Sequence, residues 1–422
     1  MKLHVYKYII NELRELIANT KFEGKTYCVG GCCRDKLLGN EIKDIDIVVE
    51  LPNGGIELAE YLYSQNKLHG SIITYPKYGT AMFKLKHYPK IEIEVVHTRS
   101  EKYPDRNSRN PVQDYGTIKE DCMRRDLTIN ALYYNISEDK LVDVCGHSIE
   151  DINNKVINTP CDPNLTYQDD PLRILRCVRF ATRYDWNIKP HVYQALKDNI
   201  DRLTIVSDER ITSEFDKIIS DKNYIKGLLL LERIDALKYI LSPFGYVKNK
   251  FHHPQFYDVQ YHIMTSPLLK HKYTRIAMLL YPYPQYAELI LSNRKYPKDD
   301  INRIINIIKL TNKFLPEFKN GITKSKIRYL QYECKTKEMF EDICNVFYIL
   351  WPCLTNIEKY IDDTTNHYGY VLPINGQDII DYLHIEPSKK VREILNQLLT
   401  ISFCKPDLTK EECFRLLNKF EL

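Results

Sequence analysis

The stretch Tyr27–Glu50, YCVGGCCRDKLLGNEIKDIDIVVE, leaves few folds open to the chain. Thr26–Val29 reads as a short strand that runs into Gly30-Gly31. Glycines let a backbone turn sharply and come close to a ligand. Cys32–Leu38 reads as a helix start, with Arg34 and Asp35 in its first turns. A strand, a glycine pair and a helix N-terminus together turn backbone N–H groups toward a phosphate. After the turn Leu38-Gly39-Asn40 comes a second strand, Asp44-Ile45-Asp46-Ile47-Val48-Val49. Strand side chains alternate faces, so Asp44 and Asp46 share one face and Ile45, Ile47 and Val49 take the other. Two carboxylates on one face repel each other unless a cation lies between them. Mg²⁺ is usually held by one or two carboxylates plus substrate phosphates. A glycine pair alone is usually a turn, and D-x-D alone is often a solvated edge. GGxxRD followed nine residues later by DxD is far more specific.

The 422 residues suffice for two to four domains, and 44% hydrophobic residues can fill substantial cores. A net charge of +4 is only mildly basic, so any surface for a polyanion must be local. The 12 cysteines form no CxxC pair and no Cys/His metal spacing, so no zinc site is expected. Met1–Ile10 is a mixed polar start, and no apolar run reaches the roughly 20 residues that span a bilayer. Free thiols without an export signal point to a reducing cytoplasm.

Residues 2–19 read as an amphipathic packing helix, and Gly55–Gln65 as another. Ser71–Tyr75, Thr80–Lys86 and Ile91–His97 read as strands. Glu92 and Glu94 share a face of the last, and alternation alone does not choose between them as a third metal ligand. Ser100–Glu120 is polar, contains two prolines and lacks periodicity, so a mobile loop is expected. Its Arg106 and Arg109 read first as solvated charges. Arg124-Arg125-Asp126-Leu127-Thr128-Ile129-Asn130-Ala131 places two planar donors side by side, suited to a triphosphate. Asp169-Asp170-Pro171-Leu172-Arg173 opens a helix, with Pro171 in its first turn and acids at its positive end. At about 100° per residue, Ile174, Leu175, Val178 and Ala181 gather on one side of it and Arg173, Arg176, Arg179 and Arg183 on the other. That basic stripe carries almost no acid of its own, so its arginines are expected to be unpaired and to imply a polyanion partner.

Taken together, GGxxRD–DxD, RRDLTINA and DDPLR resemble the nucleotidyltransferase superfamily that includes DNA polymerase beta. In detail they resemble the class II tRNA nucleotidyltransferases (CCA-adding enzymes) and bacterial poly(A) polymerases. The resemblance is strong over residues 25–215 and weak beyond. It implies an α+β chain: a mixed nucleotidyltransferase head (1–150), then a helical neck that reads the base (151–215), a body (216–330) and a tail that docks tRNA (331–422). It implies two Mg²⁺ ions held by Asp44, Asp46 and Glu94, because the family pattern has an acid five residues before an Arg, here Arg99. Gly30, Gly31, Arg34, Asp35, Arg124, Arg125, Asp126 and Asn130 would serve the triphosphate and ribose. Asp170 and Arg173 would read the base, with Arg176 and Arg179 contacting nucleotide or holding the pocket. A carboxylate accepts from an exocyclic amino group and a guanidinium donates to a ring nitrogen. CTP and ATP present that pattern; GTP and UTP present the reverse, and a wrong base would leave buried polar groups unpaired. Glu209-Arg210-Ile211 with Glu214 matches a neck motif expected to steady this helix without touching nucleotide. The partners implied are tRNA and nucleoside triphosphates, with no membrane and no protein partner.

The second half has helical periodicity and no convincing strand. Phe251–Met264 and Arg275–Gln285 resemble the start of an HD phosphohydrolase domain, but Tyr281 and Pro282 stand where His-Asp is needed. His252, His253, Asp258 and His262 therefore lack key partners, and a helical body without hydrolase chemistry is expected. Pro373–Leu399 resembles the tail element of CCA-adding enzymes, where Lys389, Lys390 and Arg392 could meet phosphate. Tyr75–Phe83, YPKYGTAMF, stands where poly(A) polymerases carry an Arg-Arg-Phe type signature, and no strongly basic tail follows.

Overall fold

A computed structural model describes residues 1–104, 111–241, 269–351, 357 and 367–419. Arg106, Arg109, His252, His253, Asp258 and His262 lie outside the described residues. The chain divides into two compact units, Met1–Leu241 and Ser242–Leu422. The regions read as head and neck thus fall in one unit.

The first unit opens with α1 (Leu3–Ile17), whose buried side chains Tyr6, Ile9, Ile10, Leu13 and Ile17 recur at helical spacing. Then follow β1 (Thr26–Val29), α2 (Gly31–Leu37), β2 (Ile45–Val49), α3 (Gly54–Ser64), β3 (Ile73–Tyr75), β4 (Thr80–Phe83) and β5 (Ile93–His97). A hairpin of β6 (Arg99–Lys102) and β7 (Val112–Tyr115) leads to α4 (Ile118–Met123), and β8 (Tyr133–Asn135) and β9 (Lys140–Val142) complete the head. Seven strands form one sheet in the order β3-β4-β5-β2-β1-β8-β9, and within it β2 and β5 run parallel. Ile45, Ile47, Val49, Ala81, Phe83, Ile93 and Val95 are all buried, on the face that α3 covers. Gly55 permits that cover, because a Cβ there would stand 2.7 Å from the Val96 Cα.

The polar segment expected to be a mobile loop forms regular structure over most of its described residues. Arg99–Lys102 pairs antiparallel with Val112–Tyr115, and Thr117 and Glu120 close a capping box that starts α4. The hairpin has no buried apolar face, so it carries no alternation of apolar residues for a sequence reading to find.

The neck region is helical: α5 (Ser148–Asn153), α6 (Pro163–Asp169), α7 (Leu172–Tyr184), α8 (Pro190–Asp198), α9 (Asp208–Ile219), α10 (Tyr224–Arg233) and α11 (Leu237–Ile240), with a short parallel pair, β10 (Val156–Ile157) and β11 (Asn187–Ile188), among them. The Asp170 carboxylate accepts the Leu172 N–H at 3.1 Å, which starts α7, and Asp185 in the left-handed region (φ 57°) ends it. Every regular element among the described residues of the second unit is a helix. Its helices include Lys272–Leu280, Lys298–Lys319, Lys324–Cys334, Lys337–Leu350, Gly376–Leu383 and Lys389–Cys404. One core is built on Phe314, Phe318, Leu330 and Phe347, and another on Ile379, Ile394 and Leu398. Lys389, Lys390 and Arg392 stand exposed at the start of the Lys389–Cys404 helix.

Candidate active site

Two neighbouring features of the first unit carry charge chemistry. The first is a row of acids. β2 and β5 pair in a register that sets Asp46 beside Glu94 on one sheet face, while Glu92 precedes β5 and Asp44 precedes β2 by one residue. The Asp46 carboxyl is pushed up to about 7, chiefly by burial, with Cys32, Glu94 and Asp44 adding and Arg125 opposing. Acids that raise one another's affinity for a proton equally favour a cation, and hard oxygen donors suit Mg²⁺. Among the described residues no three His, Cys, Asp or Glu side chains are already gathered to hold a metal ion. The fit is therefore in donor chemistry and mutual repulsion, not in a closed cage.

Behind this row lies the glycine turn. Gly30 has φ +73° and ψ −124°, a backbone that essentially only glycine adopts, and it precedes α2. Arg34 on α2 is buried and faces inward: it donates to both Asp35 oxygens at 3.0 Å and to the Asn130 Oδ1 at 2.5 Å. Its guanidinium also lies 5.3 Å from the Phe180 ring and 5.4 Å from the Tyr184 ring of α7. Arg34, Asp35 and Asn130 thus tie the glycine turn to the neck helix.

The second feature is a cleft of about 380 Å³ lined by Arg99, Glu101, Tyr103, Pro111, Gln113, Arg124, Arg125, Asp126, Asp170, Arg173, Arg176 and Arg210. Six arginines against three acids make it a place for a polyanion. Asp121, fully buried on α4, holds the adjacent pair: Arg124 Nη2 lies at 2.5 Å and Arg125 Nη2 at 2.9 Å, and Tyr133 donates its hydroxyl at 2.7 Å. Burial alone would push Asp121 up, but the Arg125 and Arg124 charges outweigh it and hold the carboxyl well below the usual range. Asp126 accepts from Asn130 at 3.1 Å and from Arg176 at 2.7 Å. Burial pushes its carboxyl up as well, yet Arg176 and these hydrogen bonds hold it at about 2.

Asp170 and Arg173 both line this cleft. Arg173 is buried, donates to the Thr166 carbonyl at 3.4 Å and lies 3.6 Å from Glu101. The expectation of unpaired arginines along α7 does not hold for three of the four. Arg176 pairs with Asp126 and Arg179 with Glu214 at 2.6 Å, and Glu101 stands near Arg173. The partners come from other elements, where the α7 sequence does not show them. Two further cleft residues escaped the sequence reading. Glu101 of the β6–β7 hairpin reaches Arg99 at 3.1 Å and Arg124 at 3.2 Å, and accepts the Tyr103 hydroxyl at 2.9 Å. Arg210, expected to stay away from nucleotide, lies 3.6 Å from Asp170.

Residues 26–158 match the family described as "Poly A polymerase head domain", and residues 185–245 match "Probable RNA and SrmB- binding site of polymerase A". The chain is 26% identical over 466 residues to tRNA nucleotidyltransferase cca1 of Schizosaccharomyces pombe, an alignment covering 92% of this chain and 90% of that one. Residues 26–158 thus belong to the poly(A) polymerase head-domain family. To the mitochondrial CCA tRNA nucleotidyltransferase of Candida glabrata this chain is 36% identical over 224 residues, covering 48% of its own length and 41% of the relative's. The solved Bacillus stearothermophilus CCA-adding enzyme in complex with CTP shares its fold with a TM-score of 0.75 at 19% identity, covering 99% of this chain and 98% of that one. In this chain the acid row and the arginine cleft lie on the two matched segments and the stretch between them.

Proposed function

We propose that the chain is a template-independent nucleotidyltransferase that adds CCA to tRNA 3′ ends from CTP and ATP, releasing pyrophosphate. One observation carries the reading: Asp170 and Arg173 share a cleft with Arg124 and Arg125, and the Arg125 charge reaches Asp46. The RNA 3′-hydroxyl gives up its proton and attacks the α-phosphorus, and the bond from that phosphorus to the pyrophosphate oxygen breaks. Arg124 and Arg125, fixed by Asp121, bind the triphosphate. Asp170 accepts from the exocyclic amino group of cytosine or adenine, and Arg173 donates to the adjoining ring nitrogen. Asp126, Arg176, Arg179 and Glu214 hold Arg173's helix in place. Two Mg²⁺ ions, held by Asp44, Asp46 and Glu94, would supply charge neutralisation at the attacking and leaving oxygens when bound. We read residues 1–150 as catalytic head, 151–215 as base-reading neck, 216–330 as body and 331–422 as the tail that docks tRNA.

The test is product sequencing on a tRNA lacking its 3′ end, with each triphosphate alone and with CTP plus ATP. A terminal CCA supports the proposal. Long A-tails would identify a poly(A) polymerase, CC or a single A a split-function enzyme, and no extension an RNA-binding relative. The cysteines among the described residues are all free, which supports a reducing compartment. We read it as cytoplasmic, and since the Candida glabrata relative is named mitochondrial, cell fractionation decides. Among the described residues no helix is long and apolar enough to cross a membrane.

A further inference from the structure

The acid row does not stop at Glu94. In the sheet register Glu94 stands opposite Met82 of β4, and Met82 opposite Ile73 of β3, the edge strand. Asp46, Glu94, Met82 and Ile73 therefore form one continuous row on the sheet face opposite the one α3 covers. The row opens outward: Asp46 and Met82 are half-buried, Glu94 is exposed, and Ile73 at the edge is 49% exposed. Tyr75, two residues along β3 from Ile73 and so on the same face, is 46% exposed. Tyr78, in the turn that joins β3 to β4, is 50% exposed, with the Lys77 ammonium 5.9 Å from its ring. Three large apolar side chains left in solvent on one edge hairpin call for a partner.

The charge of this segment says which partner. Between Glu60 and Glu92 there is no acidic residue, while Lys67, Lys77, Lys84, Lys86 and Lys90 and two histidines stand there. Acid reaches it from another element at His87, which pairs with Glu12 of α1. Lysines interleaved with exposed aromatic rings are the chemistry of single-stranded nucleic acid, where rings stack on bases and cations track the phosphates. Adjacent strands lie about 4.8 Å apart, so Ile73 is roughly 14 Å from Asp46, a span of a few stretched nucleotides.

We propose that the β3–β4 edge is a stacking platform for the unpaired 3′ end of the RNA acceptor, with Tyr75 and Tyr78 as its rings. The platform holds the strand so that its terminal hydroxyl points along the row toward Glu94 and Asp46. It takes RNA and not the incoming triphosphate, whose cleft is lined by other residues. The proposal rests on the nucleotidyltransferase reading above.

The test uses the full chain, a double variant Tyr75→Ala/Tyr78→Ala and its conservative counterpart Tyr75→Phe/Tyr78→Phe. The acceptor is a tRNA transcript ending in CC, with 2-aminopurine replacing the first of those two residues. Loss of both rings should raise the acceptor KM about tenfold or more, the scale of base–aromatic stacking, and leave the ATP KM unchanged. Binding should quench 2-aminopurine fluorescence in the wild-type chain and the Phe variant, and quench it far less in the Ala variant. An unchanged acceptor KM, equal rises in both KM values, or undiminished quenching in the Ala variant overturns the platform. Failure of the Phe variant to restore quenching overturns it as well, since both rings remain. Quenching needs no turnover, so it decides the platform even where a wild-type chain that extends no tRNA sinks the activity reading.

Discussion

The two units bury charge in different ways. In the first, Arg34, Asp35, Asp121, Asp126, Asp151, Arg173 and Glu214 are buried ionisable groups; Arg34 and Asp35 pair with each other, and each of the rest meets a partly exposed residue of opposite charge. In the second, among the described residues, Arg275, Arg328 and Asp342 are buried. Arg275 and Arg328 donate to the backbone carbonyls of Leu269 and Phe403, and Asp342 meets the partly exposed Arg303. Burying a charge is expensive, and an apolar core of the kind built on Phe314 and Phe347 stabilises a helical unit without it. The contrast teaches where selection for chemistry outweighs selection for stability: the first unit tolerates desolvated ions because they aim Arg124, Arg125 and Arg173 into a cleft. The family matches, 26–158 and 185–245, lie almost wholly within that unit.

The contrast can be broken or sharpened by substitution. The largest effect is expected at the acid row. Asp46→Ala should lower extension by about 10³-fold or more, the scale of losing a central catalytic group, with tRNA affinity nearly unchanged in a filter-binding assay. Retained extension would remove Asp46 from the reaction.

Next comes Asp121→Asn, which leaves Arg124 and Arg125 without their shared buried acceptor. Breaking such a pair costs about 3–5 kcal/mol, read as a lowered urea midpoint, and kcat/KM should fall for CTP and ATP alike. A fall for one nucleotide only would mean that Asp121 serves base choice.

Asp126 gives the third test. Its carboxyl is held down at about 2 in the fold, against about 3.9 for a free aspartate. The stability it contributes is complete above the unfolded value and is lost as the pH falls from about 4 to about 2, an amount of about 2.6 kcal/mol. Thermal unfolding followed across that window should show the slope, and Asp126→Asn should flatten it.

The smallest effect belongs to the second unit. Burial raises the Asp342 carboxyl, and Arg303 keeps Glu338 as a partner at 2.6 Å, so Asp342→Asn should cost about 1 kcal/mol or less and leave extension unchanged. If it destabilised as much as Asp121→Asn, the distinction between the units would fall.

Much of the site was legible because its signals are local. The strand, glycine turn, helix and strand of Thr26–Val49 each rest on a few neighbouring residues, and all form within one or two residues of their expected places. The α7 helix likewise announces itself by its proline, its acids and its apolar stripe. The β6–β7 hairpin was not legible, because a ribbon whose sheltered side is built of Arg99 and Glu101 needs no apolar alternation. Glu101 was missed with it, and Arg210 was set aside because its neighbourhood reads as packing. No spacing rule connects Glu101 with Arg173, or Asp126 with Arg176, 50 residues on.

The residue order by itself determined the reaction's raw materials: carboxylates alternating on a strand, glycines before a helix, paired guanidiniums, and an Asp one turn from an Arg. Tertiary structure alone decided the pairing. It set Glu94 beside Asp46 through a parallel register, gave Arg173, Arg176 and Arg179 of α7 an acid from another element, and left one sheet edge uncovered beside the acid row. The physical reason is range. Backbone preference and periodicity act over a few residues, whereas a charge is neutralised, or left to attract a ligand, by whatever the fold brings within a few ångströms of it.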